Sequence, residues 1–357
     1  MEVFIDRCSD YSSVKEVIEE AFASLGGLDT FVKDGETILV KPNLLQASEP
    51  SKNVITHPNF VRAVIEVLEK KDIEIIVGDS PGGRMSEGKL KKLYEKSEYL
   101  KLEEETSAKL NYNTESEKIS YDGRIKKSFE FLELSQEVDG IINLPKLKTH
   151  SLTVFTGAVK NSYGLIHGLN KAAYHGQFKK LNDFGKLLLD ISDAVSPRLS
   201  LMDGIWAMEG DGPSSGDPIK TECVIASKDP VICDHAACKV VGIPDNKVPT
   251  LYEADYDKEE IEYIKRQPNS FEKEFEYPSG GSTPWWVPDY LSDFFSNLYL
   301  DRPTLNKDSC TQCWECEEIC PVGAIKERGY GPKISWLKCI RCYCCSEVCP
   351  EEALLVK

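Results

Sequence analysis

Two cysteine runs near the C-terminal end constrain this chain more than any other feature. Cys310-Thr-Gln-Cys313-Trp-Glu-Cys316-Glu-Glu-Ile-Cys320-Pro321 and Cys339-Ile-Arg-Cys342-Tyr-Cys344-Cys345-Ser-Glu-Val-Cys349-Pro350 each complete a C-x2-C-x2-C-x3-C-P spacing. Three thiolates two residues apart can curl around one [4Fe–4S] cubane, while the fourth is carried away to a neighbouring cluster. The spacing therefore predicts cluster I on Cys310, Cys313, Cys316 and Cys349, and cluster II on Cys339, Cys342, Cys345 and Cys320. Cys344 fits neither run and reads as a small buried residue beside cluster II, with a substitute ligand or reactive thiol as the other reading. A disulfide framework would suit an exported chain, yet the N-terminus MEVFIDRCSD has neither a basic nor an apolar signal region. Structural zinc has no use for a third cysteine and a C-x3-C-P closure, repeated twice.

The chain has 13 cysteines in 357 residues, and nine of them fall in the last 48. The other four (Cys8, Cys223, Cys233 and Cys238) read as core residues. Short apolar stretches, Val322–Ile325 and Ala353–Val356, follow the two runs, as in the twofold-repeated unit of bacterial-type ferredoxins. Such clusters carry single electrons at low potential, which points to redox chemistry without naming the acceptor.

Upstream, strand and helix patterns alternate. Strands are expected at Val3–Ile5, Thr37–Val40, Ile73–Gly78, Gly140–Leu144, Leu199–Met202 and Cys223–Ala226. Helices are expected near Ser13–Leu25, Pro58–Lys70, Val154–Tyr163, Phe184–Val195 and Ile232–Val241. This alternation predicts an α/β fold with a largely parallel sheet flanked by helices, followed by an appended two-cluster ferredoxin-like domain. We divide the chain into an α/β domain (1–245) with a hairpin insertion near 107–134, an irregular aromatic connector (246–304) and a ferredoxin-like domain (305–357). In the connector, Trp285 and Trp286 read as packing residues rather than a substrate platform.

In open α/β sheets, ligands sit beyond the C-terminal strand ends. Five such ends deliver polar residues: Lys41-Pro-Asn43, Asp79-Ser-Pro-Gly-Gly, Asn143-Leu-Pro-Lys146-Leu-Lys148-Thr-His150, Asp203-Gly and Ser227-Lys-Asp229-Pro. The net charge is −16, which argues against a nucleic-acid binder and a polybasic membrane-surface protein. Against that background, residues 140–182 hold six lysines and no Asp or Glu, where composition alone would supply about seven acids. Three of the five histidines (His150, His167 and His175) lie there too. The expectation is an anion site, for a carboxylate or phosphate, on Lys41, Asn43, Asp79, Lys146, Lys148, Lys160, Asn161 and Asp203. His150, His167 and Lys160 are the candidate catalytic groups, because imidazole titrates near neutrality. The acidic stretch 203–217 could hold a cation or pair with these lysines, and pairing is preferred.

The blocks Lys41-Pro-Asn43, Gly78-Asp-Ser-Pro-Gly, Asn143-Leu-Pro-Lys-Leu-Lys-Thr-His150, Thr156-Gly-Ala-Val-Lys-Asn161, Asp203-Gly-Ile and Asp229-Pro resemble the landmarks of the DUF362 family. So does the tail Cys-Ile-Arg-Cys-Tyr-Cys-Cys-Ser-Glu-Val-Cys-Pro, and Cys344 belongs to that pattern. The resemblance covers residues 36–240 in blocks and 306–357 throughout. It implies an iron–sulfur protein of anaerobic prokaryotes whose main domain has no assigned reaction.

The leading expectation is a cytoplasmic iron–sulfur oxidoreductase with two [4Fe–4S] clusters passing electrons to a small anionic substrate. No flavin, nicotinamide or P-loop fingerprint is present, so the substrate takes electrons singly or a further cofactor intervenes. The expected partners are that substrate and an electron donor, a ferredoxin or flavoprotein. Neither nucleic acid nor membrane is expected, and an oligomer is left open. The rivals are an electron-transfer subunit docking an enzyme, and a non-redox lyase or isomerase with an appended ferredoxin.

Overall fold

The structure, a computed structural model, describes residues 1–271, 273–278 and 301–356. Trp285 and Trp286 lie outside the described residues.

Ten described strands form one mixed sheet. Its main path holds β1 (Glu2–Arg7), β2 (Thr37–Pro42), β3 (Glu74–Val77), β4 (Lys109–Leu110), β7 (Gly140–Leu144), β10 (Leu199–Glu209), β11 (Asp217–Ser227) and β12 (Glu262–Lys265), in the order β12-β1-β11-β10-β7-β2-β3-β4. From β10 through β7, β2 and β3 to β4 every pairing is parallel. The long β10–β11 arm and the β1–β11 pair are antiparallel. A side branch of β8 (Lys146–His150) and β9 (Val154–Thr156) leans on β10.

Strand β2 shows how the sequence builds two cores. Its side chains alternate, so Ile38 and Val40 join one apolar cluster with Val14, Ile18, Phe60 and Val64 of the helices Val14–Ser24 and Pro58–Leu68. Leu39 faces the opposite way, toward Phe184, Leu187 and Leu188 of the helix Leu181–Val195. Both faces of the sheet are covered, as a parallel sheet requires.

Several expectations need correction. The helix expected over Val154–Tyr163 begins only at Ala158, because Val154–Thr156 pairs with β8 as a strand. Lys160 and Thr156 thus do not share a helical face. The supposed loops after 144 and 202 are strands: β8 takes up Lys146–His150, and β10 runs on to Glu209. Asp229-Pro230 is not a site loop but a helix start. The Asp229 carboxylate accepts from the Val231 N–H at 2.7 Å and Pro230 occupies the first turn. Within the expected irregular connector, β12 adds to the sheet edge parallel to β1. The insertion forms the antiparallel hairpin β5 (Ser116–Ser120) and β6 (Ser128–Leu132).

The C-terminal unit pairs β13 (Pro303–Leu305) with β16 (Leu354–Val356), and β14 (Ile325–Glu327) with β15 (Pro332–Ile334), both antiparallel. Ion pairs tie it to the α/β domain: Lys89–Glu315 and Arg84–Glu318, each at 2.9 Å. No helix among the described residues is long and apolar enough to cross a membrane.

Candidate functional site

The parallel strands bring Lys41 and Asn143 into register at the adjacent C-terminal ends of β2 and β7. The chain leaves β2 toward β3, while β7 lies on the other side, so this is the point where strand order reverses. Lys41 is fully buried, paired with Asp79 at 2.8 Å and donating to the Pro42 carbonyl at 2.9 Å. Burial pulls its pKa down against the pull of Asp79. Asn161 links the two strands, accepting from Lys41 at 3.3 Å and donating to the Asn143 carboxamide at 2.8 Å. Gly164 closes over the pair; a Cβ there would lie 2.3 Å from an Asp79 oxygen, so only glycine fits.

Above this floor lies a cleft between the α/β domain and the C-terminal unit. Lys148, Lys160 and Lys171 project along its wall, with Asn43, Asp79 and Asn161 beneath. Lys148 is buried and donates to the carbonyls of Val54 (2.7 Å) and Pro213 (3.2 Å). Burial, then the neighbouring Lys160, pushes its pKa far below the usual lysine range. Lys160 and Lys171 are half-buried. Burial lowers Lys160, and it brings Lys171 down to about 7 against the opposing pull of Asp79. Lys171 also donates to the Ser80 carbonyl.

His150 is fully buried at the end of β8. Its Nδ1 accepts from the Leu152 N–H at 3.0 Å, which places the proton on Nε2. Nε2 faces Glu347 Oε1 of the C-terminal unit at 3.3 Å, a close approach without hydrogen-bond geometry, and both atoms are otherwise without a hydrogen-bond partner. Burial and Lys160 hold the His150 pKa at about 4, so it is neutral at pH 7. His175, buried against Phe184 at 4.3 Å, lines the cleft and is brought by burial to about 3.

His150 is not itself among the residues lining the cleft, and three further expected site residues lie elsewhere. Lys146 is buried and spent on Asp203 at 2.9 Å. Asp203 also accepts from Tyr11 Oη at 3.1 Å and the His57 N–H at 3.0 Å. The pair is a closed structural network, not part of the cleft wall. The acidic stretch thus uses Asp203 for pairing, and no three described His, Cys, Asp or Glu side chains converge on a single-ion position. His167 packs with Nε2 2.9 Å from the Thr114 carbonyl, beside the insertion and outside the cleft lining. Conversely, Lys171, His175 and Glu347 line the cleft without having been singled out. The acid-free stretch pointed to the first two, but nothing in the sequence signalled Glu347.

In the C-terminal unit, one cavity is lined by Cys310, Cys313, Cys316 and Cys349. A second is lined by Cys320, Cys339, Cys342 and Cys345, with Cys344 beside them. The sulfurs surround a volume rather than a point, as a cubane requires. Gln312 and Trp314 in the first loop, and Arg341 and Tyr343 in the second, adopt left-handed backbone with φ of 56–65°. Such turns aim backbone N–H groups inward, toward an anionic cluster. Equivalent N–H groups donate to thiol sulfurs, Ala324 to Cys320 at 3.1 Å and Ala353 to Cys349 at 3.2 Å. These residues fit two [4Fe–4S] clusters. Cys344 lines both the second cluster cavity and the cleft.

The family described as "Domain of unknown function (DUF362)" matches residues 38–239, which carry the whole floor and wall of the cleft apart from the C-terminal contributions. The chain belongs to the DUF362 family. The description "4Fe-4S binding domain" matches residues 303–326 and 332–355, so this DUF362 protein carries two [4Fe–4S] clusters. It is 35% identical over 237 residues to the thylakoid-associated protein sll1697 of Synechocystis sp., a match covering 64% of this chain and 70% of that protein. Among solved structures, lactate racemase apoprotein from Thermoanaerobacterium thermosaccharolyticum shares 13% identity at a TM-score of 0.42, over 65% of this chain and 56% of that one. A structural-genomics protein from Thermotoga maritima shares 12% at 0.40, over 66% and 60%. This DUF362 chain therefore spans little more than half of either structure.

Proposed function

We propose that this DUF362 protein is an iron–sulfur oxidoreductase whose cleft binds a small anion, a carboxylate or phosphate, for reduction beside cluster II. The observation that carries the reading is Cys344, which forms the wall between the second cluster cavity and the lysine-lined cleft. Bound [4Fe–4S] clusters supply single electrons at low potential.

The chain's own residues do the rest. Burial lowers the pKa of Lys148, Lys160 and Lys171, the last to about 7, and a bound anion pulls all three back up and is held by their charge. Lys171, poised near neutrality, can yield a proton to the reduced substrate. His150 lies behind the cleft wall, its Nε2 3.3 Å from Glu347, and Glu347 itself lines the cleft. Asn161, Asn143 and the Lys41–Asp79 pair fix the floor. The cytoplasm suits the reading, since all 13 cysteines are unpaired.

The test is a panel of carboxylates and phosphoesters offered to the protein prepared without oxygen. At least one should raise the unfolding midpoint by about 2–4 °C at saturation and restore the visible absorption that reduction of the clusters had bleached. A chain that binds none of them and loses electrons only to another protein would be a carrier subunit, not an oxidoreductase.

A further inference from the structure

Electrons that leave toward the cleft must enter elsewhere. Residues 326–341 contain five basic side chains and one acid, Glu327, in a chain of net charge −16. Lys326 is paired with Glu317 and Arg341 is buried, which leaves Arg328, Lys333 and Lys338 exposed. Interleaved with them are Tyr330 (89% exposed), Leu337 (93%) and Trp336 (36%), the last beneath the Arg302 guanidinium at 5.8 Å. Exposed aromatic and aliphatic side chains grouped this closely in sequence and flanked by cations are the composition of a protein contact site.

The strip is also the outer skin of both cluster cavities. Strand β15 alternates, so Lys333 points outward while Pro332 lines the first cavity and Ile334 the second. A protein seated on Lys333 is thus separated from each cavity by a single layer of side chains. Cys344, facing the cleft, is a different part of the second cavity's wall, so entry and exit do not compete for one surface.

We propose that the strip from Arg328 to Lys338 is the docking surface for an acidic one-electron carrier protein that supplies the clusters. Basic charge at the rim steers such a carrier and sets the orientation, and the exposed aromatic and aliphatic side chains supply the dry contact. At each encounter the carrier is oxidised by one electron and the iron–sulfur unit is reduced by one; no bond forms and no proton moves. This rests on the reading that the clusters relay electrons to the cleft. Its test reads electron arrival, not substrate turnover, so the two can fail separately.

The experiment uses the cluster-loaded full chain, a purified acidic two-cluster ferredoxin as probe, and the double variant Lys333→Glu, Lys338→Glu. Binding of oxidised ferredoxin and the stopped-flow rate of reduction by reduced ferredoxin should each weaken by about tenfold or more. The wild-type rate should fall steeply with added salt. Reduction by a small neutral photoreductant should be the same in both proteins. Unchanged ferredoxin affinity and rate in the variant would overturn the proposal. If the variant loses iron, the salt dependence of the wild type decides, and a flat profile overturns it.

Discussion

His150 Nε2 and Glu347 Oε1 lie 3.3 Å apart across the junction between the α/β domain and the C-terminal unit. The contact joins the end of β8 to the short helix Cys344–Glu347, which carries both Cys344 and Cys345. It therefore couples the cleft wall to the loop that holds cluster II. Replacing Glu347 by Ala removes the carboxylate that the buried imidazole faces and empties the space it fills at the junction. The expected cost is about 1 kcal/mol, read as a lower unfolding midpoint of the cluster-loaded protein, with the isosteric Glu347→Gln costing less.

Lys146 and Lys160 should behave oppositely when truncated. Lys146→Ala strands the Asp203 carboxylate at 0% exposure and should cost about 3–5 kcal/mol, without any specific effect on the protein's ligands. Lys160→Ala removes no ion pair among the described residues, only a contact with the Tyr163 ring at 5.9 Å, and should cost the ligand-free protein about 1 kcal/mol or less. It should, however, abolish the midpoint rise produced by a bound carboxylate or phosphate. Thermal unfolding with and without anion checks both.

Anion binding should take up protons. Burial sets Lys171 at about 7 in the empty cleft, and a bound anion raises it. Affinity is then fully expressed below pH 7 and declines above it, by up to about tenfold per pH unit until the bound-state pKa is reached. Calorimetric titration in two buffers of different ionisation enthalpy should report proton uptake at pH 8, and Lys171→Met should reduce it.

Away from the cleft, Asp245 accepts from Lys258 at 2.6 Å and lies 3.1 Å from His235 Nδ1. Burial pushes its pKa up, but His235 and Lys258 outweigh that and hold it at about 2. A carboxyl depressed in the fold stabilises it above the unfolded value near 4, and this contribution is lost as pH falls toward 2. With Lys258 half in solvent, Asp245→Asn should cost about 1 kcal/mol at neutral pH and only a small fraction of that at pH 2, as judged from urea melts.

How far the sequence reveals these features depends on the range of the forces involved. The cluster ligands are legible because spacing along the chain sets how thiolates wrap a cubane. The floor residues Lys41, Asp79 and Asn143 are legible because each ends an apolar run that could only be a buried parallel strand. Lys146 and Lys148 look alike, two residues apart, and only the placement of Asp203 on β10 diverts the first into an ion pair. The helix Asn170–Gln177, which presents Lys171 and His175, has a weak apolar face and a glycine, so no periodicity announced it. Glu347 and Cys344 acquire their positions only when the two units dock, through contacts far apart in sequence such as Lys89–Glu315.

The central claim is that electrons cross from cluster II to an anion held by the cleft lysines. The most direct measurement is single-turnover reoxidation of the photoreduced, oxygen-free protein by the panel compound that raises its unfolding midpoint most. The account predicts that the compound reoxidises the wild type and is recovered as its reduced product, and that Lys160→Ala slows this at least about tenfold while retaining both clusters. A bound compound that leaves the reduced clusters untouched, or one that reoxidises Lys160→Ala as fast as the wild type, would contradict it.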